Sequence, residues 1–496
     1  MKVAIDAVRS NTGALCEAAI CYTGDILDPK RTKYSLKYYV SLAKELVKMG
    51  THVLGIKDMA GLCKPYAAYA LVKALRDEVD VPIHFHTHDT SGINAGSILR
   101  AGDAGVDVAD AALASMSGMT SQPNLNSLVA ALANTERDSG LDLESLNRLS
   151  DYWEQVREFY YPFEEGMKAP TAEVYEHEMP GGQYTNLRQQ AKSLHLESRW
   201  HEIADTYAEV NRMFGDIVKV TPSSKVVGDL ALFMVTNNFT AMDVLAPNPS
   251  KKLNFPKSVV EMMQGYLGQP EGGWPKVLQR LILDAAGAKP VKGRPGETMK
   301  PVDFPAVGKD LADKIGREPR DVDVLSYLMY PQVFLDYSKK LAGYDNVSVI
   351  PTPQFLYGMQ SGEETAVEIE PGKTLIIRYL TTGDPREDGM RTVFFELNGQ
   401  PREVNVPDRS LEATLHKAPK ADPDDPDQVA APMPGKVSTV AATRGQAVKA
   451  GERLLSIEAM KMETAVYCPR EAKVKDVLVN PGSVVTAGDL LVVLEG

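Results

Sequence analysis

Cysteine is scarce. Cys16, Cys21, Cys63 and Cys468 are the only four in 496 residues, and none lies in a C-x-x-C pair, which excludes a disulfide framework and a zinc knuckle. They read as ordinary reduced thiols. No run of about eighteen apolar residues is present, so no membrane-spanning helix is expected. Nor does any block of lysine and arginine offset a formal charge of -12, and nucleic-acid binding is disfavoured. The opening residues MKVAIDAVRS lack a basic region followed by an apolar stretch; they predict no secretory signal, a cytoplasmic location and the tail of an amphipathic helix. What is there is globular composition, 44% apolar and 24% charged, in a chain too long for one core.

From Glu17 to about Asn134, short apolar runs alternate with amphipathic stretches, the pattern of repeated βα units around a parallel sheet. The predicted strands are EAAICYT (17–23), HVLGIKD (52–58), VPIHFHTHD (81–89) and VDVADAAL (106–113). Between the first two, SLKYYVSLAKELVKMG has Ser35 as cap and Gly50 as stop, which predicts a crossover helix. Four such units make half of a (β/α)8 barrel. The expected fold class is therefore α/β, with the second half of a TIM barrel over 1–135 and a helical extension over 136–342. Half a barrel would leave two sheet edges and an apolar interior open to water, which implies strands supplied from upstream. The helical stretch includes a long amphipathic run from Leu187 to Met213. At about Val347 the pattern switches to alternation, with Asn398-Gly399 as a hairpin turn, and predicts a small β-rich domain over 347–412. Residues 413–430 are acidic and proline-rich, an extended linker able to span on the order of 50 Å at about 3 Å per residue.

The last segment, 431–496, repeats itself. KVSTVAATRGQAVKAGERLLSIE (436–458) aligns with KVKDVLVNPGSVVTAGDLLVVLE (473–495), placing Gly445 on Gly482 and Gly451 on Gly488. So short a repeat predicts an all-β domain, a flattened barrel or sandwich, with two strand-turn-strand halves about a pseudo-twofold axis. EAMKMET lies between the halves and sets Lys461 at a hairpin tip, within reach of a modifying enzyme. A lone lysine there is most often a plain surface residue. Together with the repeat, however, Ala459-Met460-Lys461-Met462 and Ala431-Pro432-Met433-Pro434-Gly435 resemble the biotinyl domains of biotin-dependent carboxylases. The resemblance implies biotin carried covalently on Lys461 and attached by a biotin protein ligase. A lipoyl domain shares the fold, but its lysine usually follows an acidic residue, whereas this one follows Met460.

In IHFHTHD, His84, His86 and His88 alternate with Ile83, Phe85 and Thr87 and so share one strand face. His86 and His88 are nearest the C-terminal end of the strand, where barrel active sites lie. Two imidazoles at i and i+2 can bind one divalent ion, although a hydrogen-bonded core pair is the commoner meaning of H-x-H. Lys57 stands near the end of the preceding strand. Its bland reading is a salt bridge to Asp58 or another carboxylate. Its functional reading is an amine of lowered pKa that reacts with CO2 to become a carbamate, an anionic oxygen ligand. Thr221-Pro222-Ser223-Ser224 by itself reads as a helix cap or turn.

CEAAICYTGD, IKDMAGLCKP, HFHTHDTSG, DAALASMSGMTSQPN and TPSSKVVGDLA follow in this order, and together they resemble the carboxyltransferase part of the pyruvate carboxylase family. With the carrier, the similarity covers nearly the whole chain. It implies that Lys57 is a carbamylated ligand, and His86 and His88 the histidine ligands, of zinc, manganese or a similar divalent ion. It implies that Thr221 relays a proton between biotin and substrate, and that Ser224 and Lys225 lie around the biotin ureido group. The reaction implied is transfer of CO2 from carboxybiotin on Lys461 to the enolate of pyruvate, giving oxaloacetate for gluconeogenesis. Also implied are a homotetramer assembled through the β-rich domain, activation by acetyl-CoA, and ATP used only in a biotin carboxylase domain or subunit. The family's metal-binding aspartate, and its pyruvate-binding arginine and glutamine, come from the first barrel strands. Neither these nor the ATP-grasp domain occur in the sequence, which reads as a fragment rather than a subunit. Two other functions fit the same residues. One is the α subunit of an oxaloacetate decarboxylase, or a transcarboxylase subunit. The other, of a different class, is a carrier and assembly module without activity of its own.

Overall fold

A computed structural model describes residues 1–165, 167–245, 253–386, 389–408, 419–422, 425–459 and 462–495. Lys461 and most of the expected linker lie outside the described residues. The chain forms two compact units, Met1–Pro295 with Ala418–Gly496, and Gly296–Lys417. Among the described residues no helix is long and apolar enough to cross a membrane.

The first unit begins with α1 (Lys2–Asn11), the amphipathic helix expected, and then alternates β1 (Glu17–Cys21), α2 (Leu36–Lys48), β2 (Val53–Asp58), α3 (Pro65–Arg76), β3 (Ile83–Thr87), α4 (Asn94–Asp103) and β4 (Val108–Ala109). The strands pair in parallel in the order β1-β2-β3-β4. Ser35 caps α2 by accepting the Tyr38 N–H, and Gly50 follows it at φ +93°, a conformation that favours glycine. Ala18, Ile20, Leu54, Ile56, Ile83 and Phe85 bury one sheet face against Tyr39, Leu46, Leu71 and Leu75 of the helices. Each large side chain so buried contributes roughly 1.5–3 kcal/mol. The opposite face carries Glu17, Cys21, Lys57, His84 and His86, half-buried or exposed. It is polar rather than apolar as expected, because Glu17, His84 and His86 are held by hydrogen bonds to one another or to Asp110 instead of packing.

Helices α5 (Leu125–Leu132) and α6 (Leu143–Tyr160) follow, then α7 (Gly181–Ser193), α8 (Trp200–Met213), α9 (Ser223–Thr236), α10 (Lys257–Gln264) and α11 (Lys276–Ala285). The single run expected from Leu187 to Met213 is two helices. His195, at φ +58°, turns the chain, and the Leu196 N–H donates to the Ala191 carbonyl at 2.8 Å to close the end of α7. Helix α9 is buried along most of its length, with Val226, Val227, Leu230, Ala231 and Leu232 all in the core.

In the carrier, β9 (Gln428–Ala430), β10 (Gly435–Val440), β11 (Ala447–Val448), β12 (Arg453–Ala459), β13 (Met462–Tyr467), β14 (Ala472–Val477), β15 (Val484–Val485) and β16 (Leu490–Glu495) form two sheets, β13-β12-β10-β15 and β11-β14-β16-β9. Each half of the repeat lends its short middle strand to the other half's sheet, since β11 pairs with β14 and β15 with β10. Gly445 and Gly482 turn at φ +85° and +99°, and Gly451 and Gly488 at +80° and +82°, so the aligned glycines do the same work. The end of the expected linker belongs to this sandwich. Lys420 pairs with Asp489 at 2.8 Å, and β9 joins β16 because Val429 has a core to enter.

The second unit packs α12 (Phe304–Ile315), α13 (Asp321–Met329) and α14 (Pro331–Tyr344) around Leu311, Val324 and Phe334. It continues into an antiparallel meander of β5 (Glu364–Glu370), β6 (Lys373–Thr382), β7 (Met390–Leu397) and β8 (Gln400–Pro407). Asn398 and Gly399, at φ +49° and +75°, make the predicted hairpin turn. The change of pattern near Val347 is thus a change of secondary structure inside one unit, whose boundary lies near Pro295.

Candidate functional site

The strand periodicity of β3 sends Ile83, Phe85 and Thr87 into the core and leaves His84 and His86 on the half-open face. His86 Nδ1 meets Asp110 Oδ2 at 2.7 Å, and His88 Nδ1 meets the Thr120 carbonyl at 2.7 Å. A carbonyl only accepts, so His88 carries its proton on Nδ1; the carboxylate assigns the same tautomer to His86. Both Nε2 lone pairs then point at each other across 3.4 Å. Two lone pairs so placed repel unless something positive stands near both, and a carboxylate or carbonyl behind each ligand ring is the usual support of a metal-binding histidine. The donor set therefore fits a divalent ion. Burial holds His88 below the usual histidine range against the pull of its Thr120 hydrogen bond, and the Lys57 charge adds to it, so the ring stays neutral and able to ligate.

Lys57 sits beside His86 in the β2–β3 register. Asp58 is not its partner. That carboxylate is fully buried, accepting the Leu62 and Cys63 N–H groups at 2.8 and 2.9 Å and the Thr87 hydroxyl at 2.7 Å, and it holds the turn after β2. Among the described residues no group of three or more His, Cys, Asp or Glu that could hold a metal ion occurs. His84 lies deeper, between Glu17 at 3.0 Å and Asp110 at 2.8 Å. Burial disfavours its charge, but these two carboxylates outweigh burial and raise its pKa. Asp110 is the hinge of the cluster, and sequence reasoning missed it, although it opens the DAALASMSGMTSQPN motif.

Thr221, Ser224 and Lys225 form a second group at the start of α9. Thr221 is exposed, and Ser224 is buried. Lys225 donates to Asp229 Oδ2 at 2.6 Å, and Ser258 of α10 donates to the same oxygen at 2.6 Å. Among the described residues no hydrogen bond or ion pair joins this group to His86 or His88. On the carrier, β12 and β13 lead into and out of positions 460 and 461, and Glu463 reaches Lys257 of α10 at 3.5 Å.

Comparison with known proteins adds to this geometry. Residues 2–152 match the HMGL-like family, residues 174–378 the conserved carboxylase domain, and residues 427–494 the family of biotin-requiring enzymes. The carboxyl transferase domain from Rhizobium etli pyruvate carboxylase, solved with pyruvate and biocytin, is 55% identical with a TM-score of 0.77, over 82% of this chain and 68% of that one. The chain belongs to the pyruvate carboxylase family. A complete multifunctional pyruvate carboxylase from Rhizobium etli matches 99% of the chain at 52% identity and TM-score 0.76, over 45% of its own length. Pyruvate carboxylase of Bacillus subtilis (strain 168) is 52% identical over 495 residues, 100% of this chain and 43% of its own. The human mitochondrial enzyme is 46% identical over 488 residues, 98% and 41% respectively. The chain thus spans less than half the length of these curated pyruvate carboxylases. Its likeness favours that family over the decarboxylase and transcarboxylase readings.

Proposed function

We propose that this chain carries the carboxyl-transfer half of a pyruvate-carboxylating enzyme, in which pyruvate becomes oxaloacetate at the sheet and biotin is borne on Lys461. The observation that carries the reading is the convergence of the His86 and His88 Nε2 atoms, 3.4 Å apart, in a chain that also holds a biotin-requiring domain. Biotin, once carboxylated on its ureido ring, would supply the transferable carboxyl group, and a divalent ion would supply a Lewis acid toward the substrate oxygens. Lys57, His86 and His88 would hold the ion, with Asp110 and the Thr120 carbonyl keeping both rings turned toward it. The exposed hydroxyl of Thr221 both accepts and donates, so it can take a proton from the pyruvate methyl group on one side and release one on the other. Ser224 and Lys225 would supply hydrogen-bond donors for the ureido oxygen, with Asp229 holding the Lys225 ammonium in place at 2.6 Å. Family membership completes the reading with a biotin protein ligase, a biotin carboxylase domain or subunit, and a homotetramer responsive to acetyl-CoA.

In the holoenzyme containing this chain, Thr221→Ala is expected to lower isotope exchange between pyruvate and oxaloacetate by about 100-fold or more, with biotin content unchanged. Full exchange in that variant would remove the proton relay. Exchange at background in the unaltered enzyme would leave the chain a carrier and assembly module only.

A further inference from the structure

Thr221 follows a loop pinned from below by buried charge. Lys219, 1% exposed, places Nζ 2.9 Å from Glu178 Oε2 and 3.3 Å from the Thr23 hydroxyl. Arg31 donates to Glu178 Oε1 at 2.6 Å, so both oxygens of this buried carboxylate are held by cations. Burial opposes the charge of Glu178, yet Lys219 and Arg31 hold its pKa below the ordinary range. Lys33 and Tyr34 each donate to the Asp216 carbonyl at 2.8 Å. Glu178 and Asp216 stand at φ +54° and +53°, a region that a non-glycine residue keeps only where its surroundings over-determine it.

The location of this cluster gives it meaning. Glu178 lies three residues before Gly181, whose N–H donates to the Met59 carbonyl at 2.9 Å, just past β2. Gly181 approaches His88 so closely that a Cβ there would stand 2.7 Å from Nδ1 and 2.7 Å from the Thr120 carbonyl. Thr23 lies just beyond β1, where the Tyr22 N–H donates to the carbonyl of Lys57 at 2.8 Å. Lys219 lies two residues before Thr221. A single buried contact therefore joins the segment packed on His88, the strand end paired with Lys57, and the loop bearing Thr221.

We infer that Glu178 and Lys219 are positioning residues that fix Thr221 relative to the group of Lys57, His86 and His88. The inference rests on the carboxyl-transfer reading for what Thr221 does. A buried ion pair that serves stability alone can often be replaced by uncharged groups of similar volume without loss, which supplies the decisive variant. In the holoenzyme, Glu178→Gln combined with Lys219→Met is expected to keep the melting temperature, biotin content and metal content near those of the unaltered protein. The same variant is expected to lower kcat for oxaloacetate formation by about 10- to 100-fold, with KM for pyruvate changed less than about twofold. Introduced into Thr221→Ala, the two changes should cost less than about a further twofold, because they act through the missing hydroxyl. Thr23→Val, which removes one hydroxyl at nearly constant volume, is a gentler second variant that keeps the inference testable if the first does not fold; it should lower kcat several-fold with the same non-additivity. An unchanged kcat, or an equal loss with and without Thr221, overturns the inference while leaving carboxyl transfer intact. A Thr221→Ala enzyme of full activity takes both down, so the two failures are told apart.

Discussion

The carrier sandwich and the parallel sheet present chemistry in opposite ways. In the carrier the position proposed to bear biotin, Lys461, lies in sequence between two consecutive strands, β12 and β13, on a scaffold closed around Val437, Leu454, Leu455, Ile457, Val474, Leu491 and Val492. Its site asks only for rigidity and reach. At the sheet, by contrast, Lys57, the pair His86 and His88, Asp110, Thr120, Glu178 and Lys219 come from distant parts of the sequence, and the contact from Thr23 to Lys219 spans 196 residues. The difference teaches where damage should appear. Core truncation in the carrier is a stability event, whereas a polar change at the sheet misplaces groups on a backbone that stays folded.

Four experiments press on that contrast. Lys461→Arg keeps the charge and is expected to abolish biotin attachment altogether, scored by streptavidin blotting; remaining biotin would mean that another lysine is the acceptor. Asp110→Asn should weaken divalent-ion affinity by about 10- to 100-fold, measured by metal titration, with the melting temperature little changed. If the ion is held as tightly as before, the hinge role of Asp110 is wrong. Leu454→Ala, at a site 0% exposed, should destabilise the carrier by about 2–5 kcal/mol, read from hydrogen exchange of its strands in the full chain. A cost under about 1 kcal/mol would deny the carrier a closed core.

The fourth lies beside the sheet. His177 is 5% exposed and accepts the Met179 N–H at 3.0 Å through Nδ1, and burial lowers its pKa from 6.5 to about 4. Between those values the unfolded chain binds a proton that the folded chain does not. Stability from this residue is therefore fully present above about pH 6.5 and falls as pH drops toward about 4, by about 3 kcal/mol in all. His177→Gln should flatten that part of the unfolding profile, and an unaltered slope would refute the assignment.

Features written locally were legible. The four parallel strands, the Ser35 cap, the Asn398-Gly399 turn and the carrier repeat each leave a period or turn signal within a few residues. The break at His195 is not legible because the apolar spacing of α7 and α8 runs through it, while a left-handed residue and a 3-10 turn over Glu197–Arg199 interrupt the helix. Strand β9 was read as linker because Val429 alone enters the core from a segment of otherwise acidic, proline-rich composition. At the site, motifs pointed to His86, His88, Lys57 and Thr221, whereas Asp110, Glu178 and Lys219 were not singled out. A carboxylate or lysine that acts by reaching a distant segment looks, along the chain, like any other surface charge.

The exchange of β11 and β15 between the two halves of the carrier carries a last consequence. Neither half completes its four-stranded sheet from its own residues, so breaking one half removes a strand from the other. The carrier is thus expected to fold as one unit, ahead of the modification proposed for Lys461.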